Sequence, residues 1–240
     1  MFNVTLDGVT YTDLASLTNT VTIGEVNYYH FEIELPSAEA ARSITLLATV
    51  SLGGKDYNGK WTMSIPKYAA KVIEEGTDVE KTLAKDVLAY VKAAYSYFAD
   101  YNTAEEIARV NALIDSIIGD YTAAPTISGT VAKDNSGIVT DVTLNLDAKP
   151  TIRFYVTDMN VEFKIGNRVL ETVKDADGKY VELDVNAYAL AETITFGDGG
   201  SYHISDFLAK SAGETHENLV ACFVKYVETA AAYRNSVINK

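Results

Sequence analysis

A thirteen-residue pattern occurs twice in the chain without a gap. Ile33-Glu34-Leu35-Pro36-Ser37-Ala38-Glu39-Ala40-Ala41-Arg42-Ser43-Ile44-Thr45 lies over Leu183-Asp184-Val185-Asn186-Ala187-Tyr188-Ala189-Leu190-Ala191-Glu192-Thr193-Ile194-Thr195. Both read as strand, small-residue corner, strand. Further on, Ile65-Pro66-Lys67-Tyr68-Ala69-Ala70-Lys71 falls on Ile204-Ser205-Asp206-Phe207-Leu208-Ala209-Lys210, and the first copy carries eleven more residues between the two blocks. Val87-Leu88-Ala89 then meets Leu219-Val220-Ala221, Tyr101 meets Tyr233, and Asn3-Val4-Thr5-Leu6 meets Asn160-Val161-Glu162-Phe163. Self-similarity over this span makes the 240 residues two tandem modules, 1–121 and 122–240, rather than one large domain.

Each copy runs strands first and helices second. Tyr29-His30-Phe31-Glu32-Ile33-Glu34-Leu35 and Tyr180-Val181-Glu182-Leu183-Asp184-Val185 alternate with period two, the mark of a strand with one buried face. Gly53-Gly54 and Asn58-Gly59 frame a hairpin tip in an extra hairpin, 46–64, that the second copy lacks. After Ile65 the period becomes helical. A short helix starts near Ser64, tolerates Pro66 in its first turn and stops at Gly76; Ser205 and Gly213 mark its counterpart. Thr77-Asp78-Val79-Glu80 has capping-box spacing for a longer helix with Val87, Val91, Ala94 and Phe98 in one stripe, matched by Leu219, Phe223, Tyr226 and Ala230. Thr103-Ala104-Glu105-Glu106 opens an extra helix, 103–118, and Tyr121-Thr122-Ala123-Ala124-Pro125 reads as the linker. The second copy also has strand-like sequence at 140–146 and 151–156 with no counterpart in the first. The expected class is α+β: in each module a small antiparallel sheet or sandwich followed by an α-helical hairpin.

Charge and composition narrow the function. Twenty Lys and Arg against 33 Asp and Glu give −13, which repels phosphate backbones and anionic membrane surfaces and argues against nucleic acid. One cysteine precludes an internal disulfide, and three scattered histidines leave little for a metal site. No stretch is apolar enough to span a bilayer, so no membrane insertion is expected. Met1 directly before strand-like Phe2-Asn3-Val4-Thr5-Leu6 looks like the edge of an excised piece, whose signal or wall anchor would lie elsewhere.

Asp86-Val87-Leu88-Ala89-Tyr90-Val91-Lys92-Ala93-Ala94-Tyr95-Ser96-Tyr97-Phe98 resembles the terminal helix of modules in large secreted or wall-anchored surface proteins of gut Firmicutes, the Lachnospiraceae and their relatives. Leu219-Val220-Ala221-Cys222-Phe223-Val224-Lys225-Tyr226 is similar to the same element, with Cys222 in place of the usual small residue. The resemblance implies an extracellular, repetitive, non-enzymatic protein, a monomer within a multi-module parent. Some proteins of this type bind host immunoglobulin variable domains as superantigens. The resemblance carries no binding residues over.

Chemical signatures are sparse. Ser64-Ile65-Pro66-Lys67 fits the Ser-x-x-Lys pattern of penicillin-recognising enzymes, but the companion elements are absent and a helix N-cap accounts for Ser64. Asp175-Ala176-Asp177-Gly178 could begin a calcium loop, yet the twelfth position is Asn186, so a hairpin turn is the simpler reading. No phosphate-binding glycine loop is present, and no cofactor is expected.

The unusual supply is aromatic: 16 tyrosines against 8 phenylalanines and 1 tryptophan. Tyr is at home on protein-binding surfaces. At about 100° per residue, Tyr90, Tyr97 and Tyr101 flank the stripe centred on Val87, where they either pack on the sheet or form a ledge for a partner. Trp61 with Tyr57 sits on the extra hairpin, an elaboration where binding tends to reside; the alternative is packing of Trp61 on the first helix. The aromatic residues point to a bound host protein, with Tyr57, Trp61, Tyr90, Tyr97 and Tyr101 as the candidate contacts, and the resemblance makes an immunoglobulin the specific expectation. A structural spacer and a glycan-binding adhesin are the rivals.

Overall fold

The computed structural model describes residues 2–6, 9–11, 20–23, 25–29, 35–52, 54–126, 137–146, 151–183 and 186–238. The fold is α+β, with every strand pairing antiparallel. In the N-terminal half, β1 (Phe2–Leu6), β2 (Val9–Tyr11), β5 (Ile44–Leu52) and β6 (Lys55–Met63) form a sheet in the order β2-β1-β5-β6, and β3 (Thr20–Ile23) pairs with β4 (Val26–Tyr29). Most of the alternating stretch 29–35 lies outside the described residues.

The C-terminal half repeats the first of these sheets. β9 (Phe163–Ile165), β10 (Arg168–Val169), β13 (Ile194–Phe196) and β14 (Gly200–Tyr202) take the order β10-β9-β13-β14. Leu6 pairs with Ile44 and Ile44 with Met63, just as Ile165 pairs with Ile194 and Ile194 with Tyr202. The sequence match of Asn3 with Asn160 is thereby corrected by two residues: Leu6 takes the place of Ile165. A two-residue slip keeps every side chain on its face, so the pattern alone could not detect it.

Both halves place a 3-10 turn, Ser37–Glu39 and Ala187–Ala191, ahead of the third strand of this sheet. The C-terminal half has a fuller second sheet. The strand-like stretches without an N-terminal counterpart are β7 (Val139–Asn145) and β8 (Thr151–Val156), which join β11 (Thr172–Lys174) and β12 (Tyr180–Leu183) in the order β11-β12-β8-β7.

The extra residues of the N-terminal half lengthen a hairpin. β5 and β6 stay in register to Leu52 opposite Lys55, so the turn falls beyond this pair, with Gly54 at φ +78°. Asn58-Gly59 lies inside β6, not in the tip as the dipeptide suggested: nine cross-strand pairs outweigh one local turn preference. In the C-terminal half the equivalent strands are joined by 197–199 alone.

Helix boundaries follow local chemistry. α1 (Ile65–Glu75) starts at the Ser64 cap with Pro66 in its first turn and ends at Gly76. α2 (Asp78–Tyr97) and α3 (Ala104–Ile118) open on complete capping boxes, Thr77 with Glu80 and Thr103 with Glu106. α4 (Ile204–Ser211) is capped by His203 rather than Ser205, because the imidazole takes the capping role that a hydroxyl plays in α1. α5 (Glu217–Ile238) closes the chain.

α2 is buried on two sides. Leu88, Val91 and Tyr95 join Val110 and Ile114 of α3 and Ala69 of α1 in one cluster. Ala89, Tyr90, Ala93 and Ala94 face the other way, into a larger cluster with Phe223, Val224 and Val227 of α5 and the sandwich side chains Phe154, Phe163, Leu183 and Ile194. A single stripe centred on Val87, which is only half-buried, is therefore replaced by two stripes flanking it. Side chains from 1–121 and 122–240 thus share one core. The segment 121–126 is pinned along the helices: Tyr121 donates to Asp86 Oδ1 at 2.7 Å, Ala123 is buried, and the Thr126 amide donates to Glu228 at 2.8 Å.

Candidate functional site

The C-terminal end of α2 builds an aromatic corner. Tyr97 meets Phe98 edge-on at 5.0 Å between ring centroids and His216 at 6.4 Å, while Phe98 meets Tyr101 at 6.2 Å. These rings line a groove of about 620 Å³ whose floor includes Leu219 and Val220 of α5 and whose opposite wall is the end of β7, 143–146. The remaining wall is the turn around Pro36, Ala38 and Glu39.

That wall is fixed by two buried hydrogen bonds. Ser37 Oγ and the Tyr90 hydroxyl are 2.6 Å apart, and Asn102 Nδ2 donates to the Ala38 carbonyl at 2.9 Å. Glu39 is paired with Arg42 at 2.7 Å, which neutralises the one carboxylate at the rim of this wall. The groove is thus largely apolar, aromatic at one lip and held by contacts over 50 residues apart in sequence. It suits a partner that inserts side chains.

The five sequence-derived binding candidates separate. Tyr97 and Tyr101 are 45% and 71% exposed and stand together at the groove mouth. Tyr90 is withdrawn from the ledge. It is 6% exposed, its ring stacks on Tyr226 at 5.9 Å and tilts onto Phe223 at 5.4 Å, and burial pushes its phenol up to about 12. The helical angle placed it on a flank; the second helix packed on that flank covers it. Trp61 is 58% exposed and its ring lies over Gly59, two residues back on the same face of β6. Tyr57 stands opposite Val50 in β6, and its side chain lies outside the described residues. Sequence reasoning missed Phe98 and His216 as groove residues; no local signal marks them, since they come to one groove only where the end of α2 lies beside the start of α5.

The chemical candidates resolve into structural roles. Ser64 Oγ accepts the Lys67 amide at 3.3 Å, while the Lys67 ammonium donates to the Thr62 carbonyl at 3.3 Å. Asp175 and Gly178 close the β11–β12 turn through a 3.0 Å backbone bond, and Asp177 pairs with Lys179 at 3.1 Å. His203 Nδ1 lies 2.7 Å from Ser205 Oγ and Nε2 lies 3.0 Å from the Ala191 carbonyl. The carbonyl can only accept, so the proton sits on Nε2 and Nδ1 takes the serine hydroxyl. Ser205 is fully buried and Asp206 nearly so; both bond His203, whose ring ties α4 to the turn before β13.

Among the described residues no three His, Cys, Asp or Glu side chains are grouped to hold a metal, and no helix is long and apolar enough to cross a membrane. No protein-family model, curated protein or solved structure matches the chain.

Proposed function

We propose that this chain is a recognition module of an extracellular bacterial surface protein, binding a host macromolecule without chemical change to it. The observation that carries the reading is the pair Tyr97 and Tyr101, exposed at the lip of a largely apolar groove, one wall of which is held by buried hydrogen bonds. Preorganised walls lower the ordering cost of association, and exposed Tyr supplies large contact area with few rotamers to freeze. The partner suggested by the sequence resemblance is an immunoglobulin variable domain, and the two related halves fit a repetitive parent in which weak sites add by avidity.

Immobilised chain exposed to polyclonal Fab fragments tests this. Saturable binding is expected, and Tyr97→Ala combined with Tyr101→Ala weakens it at least about thirtyfold if the pair forms a hot spot. Absence of Fab binding removes the immunoglobulin partner. Binding unchanged by the double variant removes the groove.

A further inference from the structure

The unpaired charges beside the groove are of one sign. Asp100 stands in the turn between the lining residues Phe98 and Tyr101, and Glu214 and Glu217 lie on either side of His216 at the start of α5. All three are exposed. Glu217 holds the Gly213 amide at 2.8 Å, and the amino end of α5 offsets part of its charge. Among the described residues none of the three forms an ion pair, whereas Glu39 is neutralised by Arg42 and Asp141, on the β7 wall, by Lys210.

The rings at the lip match that charge. Elsewhere in the chain cations lie over tyrosines: Arg234 over Tyr188 at 4.4 Å, Arg153 over Tyr180 at 4.8 Å and Lys85 over Tyr121 at 5.6 Å. Among the described residues none lies over Tyr97 or Tyr101, the two rings that stand beside these carboxylates. A guanidinium placed there gains from the ring face and from the ion pair together, and its weak hydration makes it cheaper to bring in than an ammonium. Behind the rings the groove is apolar, with Leu219 and Val220 buried and Phe207, Leu144 and Leu146 half-buried.

We propose that the groove takes a segment of a partner protein in which arginine alternates with apolar residues, the guanidinium resting on Tyr97 or Tyr101 against Asp100, Glu214 and Glu217 while the apolar side chains enter behind it. The inference rests on reading this groove as a protein-binding site and adds the chemistry of what it binds. Charge complementarity selects the occupant. An acidic peptide, a nucleic acid or a lipid phosphate would set like charges against the mouth, and the net −13 of the chain steers a basic partner toward it. A neutral glycan would leave the carboxylates unpaired and the apolar floor unfilled.

The probe is a labelled peptide of alternating Arg and Leu, capped at both ends and titrated into the intact chain with fluorescence anisotropy as the readout. Saturable binding is expected, with the Glu-Leu and Arg-Gly peptides each bound at least about tenfold more weakly. Raising NaCl from about 0.05 M to about 0.5 M weakens the Arg-Leu complex at least about threefold. Asp100→Asn, Glu214→Gln and Glu217→Gln together weaken it at least about tenfold and lower its salt dependence, with circular dichroism unchanged, since Gln keeps an acceptor for the Gly213 amide. The proposal is overturned by no saturable binding of the Arg-Leu peptide, by equal binding of either other peptide, by an affinity indifferent to salt, or by a triple variant that binds like the wild type. The peptide comparison on the wild-type chain decides without any variant. Fab binding that is lost with Tyr97→Ala and Tyr101→Ala but indifferent to the triple variant keeps the groove as a protein-binding site and overturns this inference; peptide binding without Fab binding removes the immunoglobulin and leaves it standing.

Discussion

Asp86→Asn should make the protein more stable at neutral pH. Asp86 is fully buried between α2 and the segment after α3; Oδ1 accepts the Tyr121 hydroxyl, but Oδ2 has no partner. Burial pushes its carboxyl pKa up, against the Tyr121 bond, the nearby Lys225 charge and the Thr229 hydroxyl, with Glu228 adding to the rise. Because the folded value lies above the unfolded one, stability from this group is fully present below the unfolded value and is lost as pH rises through the folded value. A buried polar atom left unsatisfied costs about 1–3 kcal/mol. Asn keeps the acceptor for Tyr121 and replaces the unpartnered oxygen with a donor that Thr229 can accept, since that hydroxyl gives its proton to the helix backbone. A gain of about 1–2 kcal/mol follows, or roughly 2–8 °C in Tm for a chain of this size. Urea unfolding of both proteins between about pH 4 and pH 8 reads the difference, which should shrink toward acid as the wild-type carboxyl protonates. A destabilised variant at neutral pH would show that the carboxylate is needed as a counter-charge to Lys225, and refute the reasoning.

Tyr90→Phe should cost about 1 kcal/mol by orphaning buried Ser37, and Tyr90→Ala about 3–5 kcal/mol by leaving a cavity between α2 and α5; equal losses in chemical denaturation would contradict the packing role. Burial first, then the Asp86 charge, raises the Cys222 thiol to about 11, so thiol reagents at mildly alkaline pH should react only as fast as the protein opens; rapid labelling of the native chain would count against it. Gly200→Ala should destabilise by about 1–3 kcal/mol, because a Cβ there collides with the Phe196 ring and comes 2.8 Å from its carbonyl oxygen; calorimetry checks it. Thr103→Ala should cost about 1 kcal/mol by removing the α3 capping box.

Much of what is settled within a few residues was legible in advance, although the cap of α4 is His203 and not Ser205. The Ser64, Thr77 and Thr103 caps and the Gly76 stop fixed the starts of three helices and the end of α1, since a cap is a contact between neighbours in sequence. The aligned strand, corner and strand also placed both 3-10 turns and the strands after them. The groove was legible only in part: Tyr97 and Tyr101 were named, but Tyr90 was placed with them although its flank is covered by α5.

By itself the sequence determined the α+β class, the recurrence of strand, turn and helix, and the starts of α1, α2 and α3, because periodicity and capping are local physics. Tertiary structure alone decided which faces of α2 are inside, since a helix packed between two partners carries two apolar stripes and a wheel drawn for one cannot choose between them. It also decided that β5 and β6 pair through Asn58-Gly59, and that Phe154 of one sheet packs on Phe163 of another. Register and cover are set by residues far apart in the chain, and only their meeting in space fixes them.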